Sequence, residues 1–435
     1  MRHAWSALSI AAFVVGPAAT AAADPPTPSV SLASFSMARQ PGTAPTALTL
    51  EAVLERVLRE SPIRRAAAAL VDGASDAVPL AARLPNPLLE LRQENWNFGS
   101  SGASDPLLDA FAVVTQPIEL GGKRAARRQL AEAERSMTEA GLADVERQLS
   151  LAVVDRYVQA VRLREWTATL ADERDSLQEL TDVMRRRVDE GAAAEADHRK
   201  LEAELTRVDA ELLRAQLGLD AALLALEALL ADGTPVEPAA LVVPAPPAVP
   251  AVLPEATLDE AVERAPAVTL ARARAERAAR QLRLERAVRV PDLQVSGGYK
   301  RTDGAHTGVV GVVLPVPLFD RNGVAIARAS GEARAADLGL EGARREARAD
   351  LQATLRAARS LASRSTRTPS ELAAPAEVVR RAARALFREG SGDVLHLVDA
   401  ERVYATAQRE ALALTLDAVV ASARARLALG ESLIP

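Results

Sequence analysis

The sequence predicts a mainly α protein with a small β part, and three observations carry that reading. Long proline-free stretches repeat apolar residues at steps of three and four. Four short stretches instead alternate with period two. The whole pattern then occurs twice along the chain. Composition agrees: with 49% hydrophobic, 26% charged and only 3% aromatic residues over 435 positions, the chain suits long helices better than a compact enzyme core.

Composition also excludes. A net charge of −5 and a pI near 5.7 give no basic face for nucleic acid. The absence of cysteine removes disulfides, Cys-ligated zinc and thiol catalysis. Four histidines are too few for a His-rich metal or catalytic site, so no cofactor is expected.

Residues 1–23 read as a secretory signal peptide. Arg2 supplies the positive start, Leu8 to Val15 the apolar segment, and Ala21-Ala22-Ala23 the small residues before a cut at Asp24. No later segment is an uninterrupted apolar run of the ~18 residues that a spanning helix needs; Ala221 to Ala231 is cut by Glu227. Residues 24–46 are a flexible leader rich in Pro, Ser, Thr and Ala. A second Pro-rich run, 233–256, links two halves at 47–232 and 257–432. Ser61-Pro62 pairs with Ala265-Pro266, Pro85-Asn86 with Pro291-Asp292, Gln116-Pro117-Ile118 with Leu314-Pro315-Val316, and Glu190-Gly191 with Glu389-Gly390. These landmarks are offset by 198 to 206 residues, which is a duplication.

Each half opens with a short helix, Thr49 to Glu60 with Thr49 as its cap, and Thr257 to Arg264 in the copy. A second helix ends before Pro85 or Pro291. Strands follow at about 86–97 and 107–117 in the first half and at about 291–301 and 306–317 in the second. Leu293, Val295, Gly297 and Tyr299 alternate with Asp292, Gln294, Ser296 and Lys300, and Leu108, Ala110, Ala112 and Val114 form one apolar face. Runs of about ten residues match a tilted strand crossing a bilayer. Each half then becomes a very long helix that turns and returns, with turns at 190–192 and 389–392 around Gly191 and Gly390. Leu170, Leu177, Leu180, Met184 and Val188 mark the outgoing arm; Leu201, Leu205, Val208, Leu212, Leu219, Leu223, Leu226 and Leu230 mark the return. This is a coiled-coil heptad. About 70 residues at 1.5 Å each make an arm on the order of 100 Å.

Four membrane-length strands cannot close a barrel, because about eight are needed. Open edges in lipid would leave backbone groups unpaired at several kcal/mol each. Closure must therefore come from several chains, and three would supply twelve strands. Trp96, Phe98, Phe111, Tyr299 and Phe319 lie in or beside the strands, where interface anchoring and ordinary strand packing are both open readings.

Three stretches carry a resemblance: Gln-Pro-Ile-Glu-Leu-Gly-Gly-Lys-Arg at 116–124, Leu-Pro-Val-Pro-Leu-Phe-Asp-Arg-Asn-Gly at 314–323, and Phe-Arg-Glu-Gly-Ser-Gly-Asp-Val-Leu-His-Leu-Val-Asp-Ala-Glu at 387–401. The chain resembles the TolC-like outer-membrane efflux protein family over nearly all of its mature length, and Gly-Gly-Lys-Arg is most similar to the CzcC-like branch that serves heavy-metal cation pumps. The resemblance implies a homotrimer in the outer membrane of a Gram-negative bacterium. It implies a shared 12-stranded barrel with four strands per chain, and a coiled-coil α-helical tunnel in the periplasm. Its implied partners are outer-membrane lipid, a periplasmic adaptor and an inner-membrane RND-type pump. It also implies that Asp197, His396 and Asp399, counted from the hairpin glycines, line a pore aperture, where acidic rings favour cations and a histidine ring would respond to pH. Solvated or helix-capping roles are the alternative for all three.

Gly121, Gly122, Asn322 and Gly323 are expected at the turns where strand becomes helix. Gly121-Gly122-Lys123-Arg124 lacks the spacing of a phosphate loop, and Lys123, Arg124, Arg127 and Arg128 read as a solvated face near the membrane. Asp393, His396 and Asp399 have too few neutral ligands and no fixed geometry for a metal site. Arg185-Arg186-Arg187 reads as a coiled-coil flank or a contact for the adaptor. No Ser-His-Asp, H-E-x-x-H or paired-carboxylate arrangement stands out, so an enzyme is not expected. The sequence leaves open a multidrug or type I protein-secretion channel. A periplasmic adaptor is a more distant reading, since adaptors normally carry one hairpin between β-rich domains.

Overall fold

The computed structural model describes residues 47–94, 109–250, 254–302 and 304–434. The expected signal peptide and leader, together with Trp96 and Phe98, lie outside them. None of the helices among the described residues is long and apolar enough to cross a membrane.

Helix α1 (Leu50–Glu60) starts where Thr49 Oγ1 accepts the Ala52 amide at 3.2 Å, and it buries Leu50, Val53, Leu54 and Val57 on one face. Ser61 is extended and Pro62 occupies the first turn of α2 (Pro62–Ala81). The second half repeats this break: Ala265, with ψ 132° beside 125° at Ser61, separates α5 (Glu255–Arg264) from α6 (Pro266–Val288). Helix α5 begins two residues before the expected Thr257. The Pro254 carbonyl accepts the Leu258 amide and Glu255 favours the helix N-terminus.

Helix α3 (Lys123–Asp189) runs 67 residues without a break, about 100 Å at 1.5 Å per residue. Its return arm α4 (Glu195–Leu230) has 36 residues and pairs with only part of it; α3 also packs on α2 and α6. The second half departs from the expected single long helix. Helix α7 (Gly323–Ser365) gives way to a π-helical turn at Pro369–Ala373 before α8 (Ala374–Arg388), and α9 (Val394–Ala428) returns. Pro369 and Pro375 lack the amides that a continuous ladder needs.

The strands β1 (Leu88–Glu94), β2 (Asp109–Ile118), β3 (Leu293–Thr302) and β4 (Ala305–Val313) form one antiparallel sheet in chain order. The β2–β3 pairing, with Val114 opposite Gly297, joins the two halves. Strand β4 stops at Val313 rather than at the expected 317, because Pro315 and Pro317 have no amide to donate.

The apolar faces meet in three clusters. One packs α1 against α3, α4 and α9 around Tyr157 and Leu226; another follows Leu170 to Met184 toward the hairpin turns with Phe387 and Leu397; the third joins α5, α6, α7 and α9 around Leu258, Val268 and Leu355. Buried Tyr157 fastens the connecting segment to the long arm. Its hydroxyl accepts the Val242 amide at 3.0 Å and lies 2.7 Å from the Leu48 carbonyl oxygen, beside the Leu48–Leu241 bridge.

The strand-to-helix turns rest on left-handed residues: Gly121 (φ 69°), Gly122 (φ 73°) and Asn322 (φ 60°), with Gly323 opening α7. Asn322 is held by its side-chain amide, which donates to the Glu285 carbonyl at 2.9 Å. The expectation of a solvated basic face fails for Lys123 and Arg127. Lys123 is buried and donates to Asp292 Oδ1 at 2.7 Å, while Arg127 pairs with Glu119 and donates to the Ala81 and Arg83 carbonyls. These cations bind the sheet to the helices because the tight turn exposes carboxylates and helix-end carbonyls to them.

A methyl group at Gly121 would sit 2.7 Å from Val290 Cβ, whereas one at Gly122 meets nothing within 4 Å. Gly121→Ala should therefore destabilise by about 2–4 kcal/mol, combining left-handed strain with a clash, and Gly122→Ala by about 1–2 kcal/mol from strain alone. Thermal denaturation of the two variants checks the order, and equal losses would contradict it.

Candidate functional site

The sheet has two unlike faces. Successive side chains of a strand point to opposite sides, and the register brings Leu89 and Leu91, Ala112 and Val114, Val295 and Tyr299, and Val310 and Val312 to one side. Most of these are well exposed; Val310 is 85% exposed. The other side carries Glu90, Arg92, Glu94, Asp109, Phe111, Ser296 and Lys300. Arg92 pairs with Glu90 and Glu94, and Lys300 lies 3.4 Å from Asp109. One face is built for an apolar medium, the other for water and charge.

The expected membrane-interface aromatics separate on these faces. Tyr299 stands on the apolar face with its hydroxyl bonded to His306. Phe111 stands on the charged face between the Arg92 guanidinium at 4.7 Å and the Lys300 ammonium at 4.8 Å. The Phe111 ring is a cation–π platform on the side opposite Tyr299. Phe319 follows β4 and is fully exposed.

At the far end of the arms, Gly191 (φ 72°) and Gly390 (φ 80°) make the hairpin turns. Arg187 joins the two turns: it donates to the Arg388 carbonyl at 2.9 Å and covers the Phe387 ring at 5.2 Å. Arg185 and Arg186 are exposed. Asp197 lies half-buried in the first turn of α4 and accepts from Lys200 at 3.0 Å, while His396 and Asp399 are exposed on α9, and Asp393 caps that helix by accepting the Leu395 amide. Among the described residues no hydrogen bond or ion pair joins Asp197 to Asp399, and no cluster of three or more His, Asp or Glu is suited to hold a metal.

Sequence reasoning missed the carboxylates inside the arms. Glu173 on α3, Glu204 on α4 and Glu401 on α9 are all buried. Arg402 of α9 clasps Glu204 of α4, Arg384 of α8 clasps Glu401, and Arg207 bonds Glu204 at 2.9 Å and lies 3.7 Å from Glu173. Glu173 Oε1 has no hydrogen-bond partner. Glu173 and Glu401 line a cavity of about 210 Å³ with Arg380 and Tyr404. Part of the signal was present in the sequence: position 173 falls between Leu170 and Leu177, where the heptad demands an apolar residue, whereas Leu205 keeps the return heptad intact beside Glu204. Desolvation pushes the Glu173 carboxyl up from 4.5 to about 7; Arg207 opposes the shift, and Glu401, Glu204 and Glu211 add to it. The hydrogen bonds from Arg402 and Arg207 outweigh burial at Glu204 and hold it below the usual carboxylate range.

A family model described as outer membrane efflux protein matches residues 53–232 and again 257–431. The cobalt-zinc-cadmium resistance protein CzcC of Cupriavidus metallidurans is 30% identical over 288 residues, 65% of this chain and 66% of that protein. The nickel and cobalt resistance protein CnrC of the same organism is 34% identical over 309 residues, 70% of this chain and 72% of that one. These matches span about two thirds to three quarters of the length of the relatives. The crystal structure of the outer membrane protein VceC of Vibrio cholerae superposes with a TM-score of 0.72 at 21% identity, covering 88% of this chain and 96% of that one.

The Glu173 shift fixes the sign of a pH effect. A carboxyl whose folded value is raised contributes its stability in full below about pH 4.5 and loses it as pH rises through about 7. Glu173→Gln removes that loss. The variant should match the parent near pH 4.5 and exceed it above pH 7 by on the order of 1–2 kcal/mol. Paired thermal melts across this range test it, and a difference independent of pH would contradict it.

Proposed function

The chain belongs to the outer membrane efflux protein family, and on that premise we propose that it is the exit duct of a tripartite system exporting heavy-metal cations. The observation that carries the reading is the four-stranded sheet. It has one apolar exposed face, one charged face and, among the described residues, no strand on either outer edge, and it stands at the end of arms about 100 Å long. Channels of this family form trimers and work with efflux pump partners in the outer membrane of Gram-negative bacteria. Three copies give twelve strands, with the apolar faces toward lipid and the charged faces toward the lumen. The exposed Leu213, Leu217 and Leu224 on α4 supply apolar surface for neighbouring arms.

The metal cargo is supported by likeness to CzcC and CnrC, whose names record resistance to cobalt, zinc, cadmium and nickel. An RND-type pump and a periplasmic adaptor would supply energy and docking, and the exposed Arg185 and Arg186 at the hairpin turn offer the adaptor a basic contact. Asp197 and His396 follow the turns at matching positions in the two return helices, and Asp399 lies one turn beyond His396. As rings in a trimer Asp197 and Asp399 would present acidic groups to outgoing cations, with His396 beside them. Gate opening is a shift of the arms between two packings, and the buried carboxylate pairs join the elements that must part.

A strain lacking the gene should become sensitive to zinc, cobalt, cadmium or nickel and regain resistance with the intact gene. Sensitivity confined to dyes, detergents and antibiotics would reassign the cargo. In single-channel recordings, Asp197→Asn with Asp399→Asn should lower cation preference several-fold. Unchanged ion preference in this variant would sink the aperture assignment.

A further inference from the structure

All four strands meet the helical body at one end of the sheet. At that level lie the C-terminal ends of α2 and α6 and the first turns of α3 and α7. The carboxylates there are already engaged: Glu119 by Arg127, Asp292 by Lys123, Glu285 by Asn322 and Gln281, and Asp320 by the Asn322 amide. The arginines there lack such ion-pair partners. Arg83, Arg124, Arg283, Arg286, Arg289 and Arg321 are exposed, and none has a carboxylate partner among the described residues. Arg124 donates to the Ala82 carbonyl, Arg283 to Gln129 at 3.1 Å, and Arg321 to the Pro317 carbonyl at 3.2 Å. Arg283 and Arg286 flank a cavity of about 360 Å³ that also touches Gly121 and Val290.

Beside these arginines stands an exposed apolar belt. Leu84, Val288, Val290, Leu318 and Phe319 all face outward, Phe319 completely. Its residues adjoin, along the chain, the strand ends that carry Leu89 and Val312. Exposed apolar side chains beside guanidinium groups that lack carboxylate partners form the profile of a membrane interface, where a guanidinium binds a phosphate with two parallel hydrogen bonds. A free anion would need the arginines but not the belt.

We propose that the strand-to-helix junction is a phospholipid-binding collar. In it, Arg83, Arg124, Arg283, Arg286, Arg289 and Arg321 hold the phosphate groups of anionic lipids in the periplasmic leaflet, while the apolar belt contacts their acyl chains. Clustered basic groups next to a membrane segment select anionic headgroups. The collar fixes the depth of the sheet in the bilayer and keeps Gly121 and Gly122 at the interface, where the backbone turns from strand to helix. The proposal rests on the outer-membrane reading, and its test separates the two.

The experiment uses the purified full-length oligomer in nanodiscs of zwitterionic lipid alone, or with added phosphatidylglycerol or cardiolipin. The readouts are the temperature at which the oligomer dissociates and the lipids retained in native mass spectrometry. Anionic lipid should raise the dissociation temperature by several degrees and be retained several-fold over zwitterionic lipid. The exposed, carboxylate-free triple variant Arg83→Gln, Arg286→Gln, Arg289→Gln should lose both effects. An equal loss of charge at Arg185, Arg186 and Arg381, along the arms, should leave them intact. Equal retention of both lipid classes, or the same preference in the junction variant, overturns the collar. So does equivalent stabilisation of the lipid-free oligomer by inorganic phosphate, which would assign the arginines to a soluble anion. Failure of the intact protein to enter nanodiscs overturns the membrane reading itself.

Discussion

The structure depends on one unmet requirement: among the described residues no strand pairs with the outer edge of β1 or of β4. Water tolerates such edges and hydrocarbon does not, at several kcal/mol for each group left alone. The exposed apolar face of the same sheet, with Leu89, Leu91, Val310 and Val312, demands the medium that the edges forbid. Pairing the edge of one chain with that of the next satisfies both demands. That closure fixes the symmetry of everything attached below it, so the length of the arms and the placement of the hairpin turns inherit the geometry of the barrel.

Between sheet and arms the chain must change from period two to period 3.6 within a few residues, twice. It does so with left-handed Gly121, Gly122 and Asn322 and with cations turned inward, Lys123 onto Asp292 and Arg127 onto Glu119. Farther along, the arms bury charge where leucine would adhere better. Burying an ion pair gains little over packed apolar residues, while breaking one is expensive. Glu204 with Arg402 and Glu401 with Arg384 therefore make an interface of defined register rather than maximal strength. Glu173 adds a carboxyl that burial keeps close to its proton-bound form near neutrality. An element that has to move is better held by contacts of this kind than by a continuous leucine seam.

Much of this was legible in the residues. Thr49 and Pro62 mark helix boundaries because capping and the missing proline amide act locally, and Gly191 and Gly390 mark turns because φ near +70° or +80° favours glycine. The sheet faces follow from alternation, since Val295 and Tyr299 share one side whatever surrounds them. Features set by distant partners were not legible. Lys123 reads as solvated until Asp292, far along the chain, is brought beside it. Phe111 gives no sign of its two cations until pairing places it between Arg92 and Lys300. Glu173 was visible as a break in a heptad while Glu204 and Glu401 were not, and only the arginines of other helices explain why these buried carboxylates are tolerated. Pro369 was visible too, yet its consequence, a π-helical turn in place of a continuous arm, depends on how α8 and α9 pack.

Closure by neighbouring chains can be tested directly because the natural sequence contains no cysteine. Within one chain β1 and β4 are separated by two strands, about 14 Å at the usual strand spacing, so no intrachain disulfide can join them. A scan of cysteine pairs, one on β1 between Leu88 and Glu94 and one on β4 between Ala305 and Val313, is oxidised in intact outer membranes and run on a denaturing gel. The account predicts disulfide-linked dimers and trimers at the pairs that share a register, alternating along the strand with period two. Monomers at every pair, with the protein present in the membrane fraction, would contradict it.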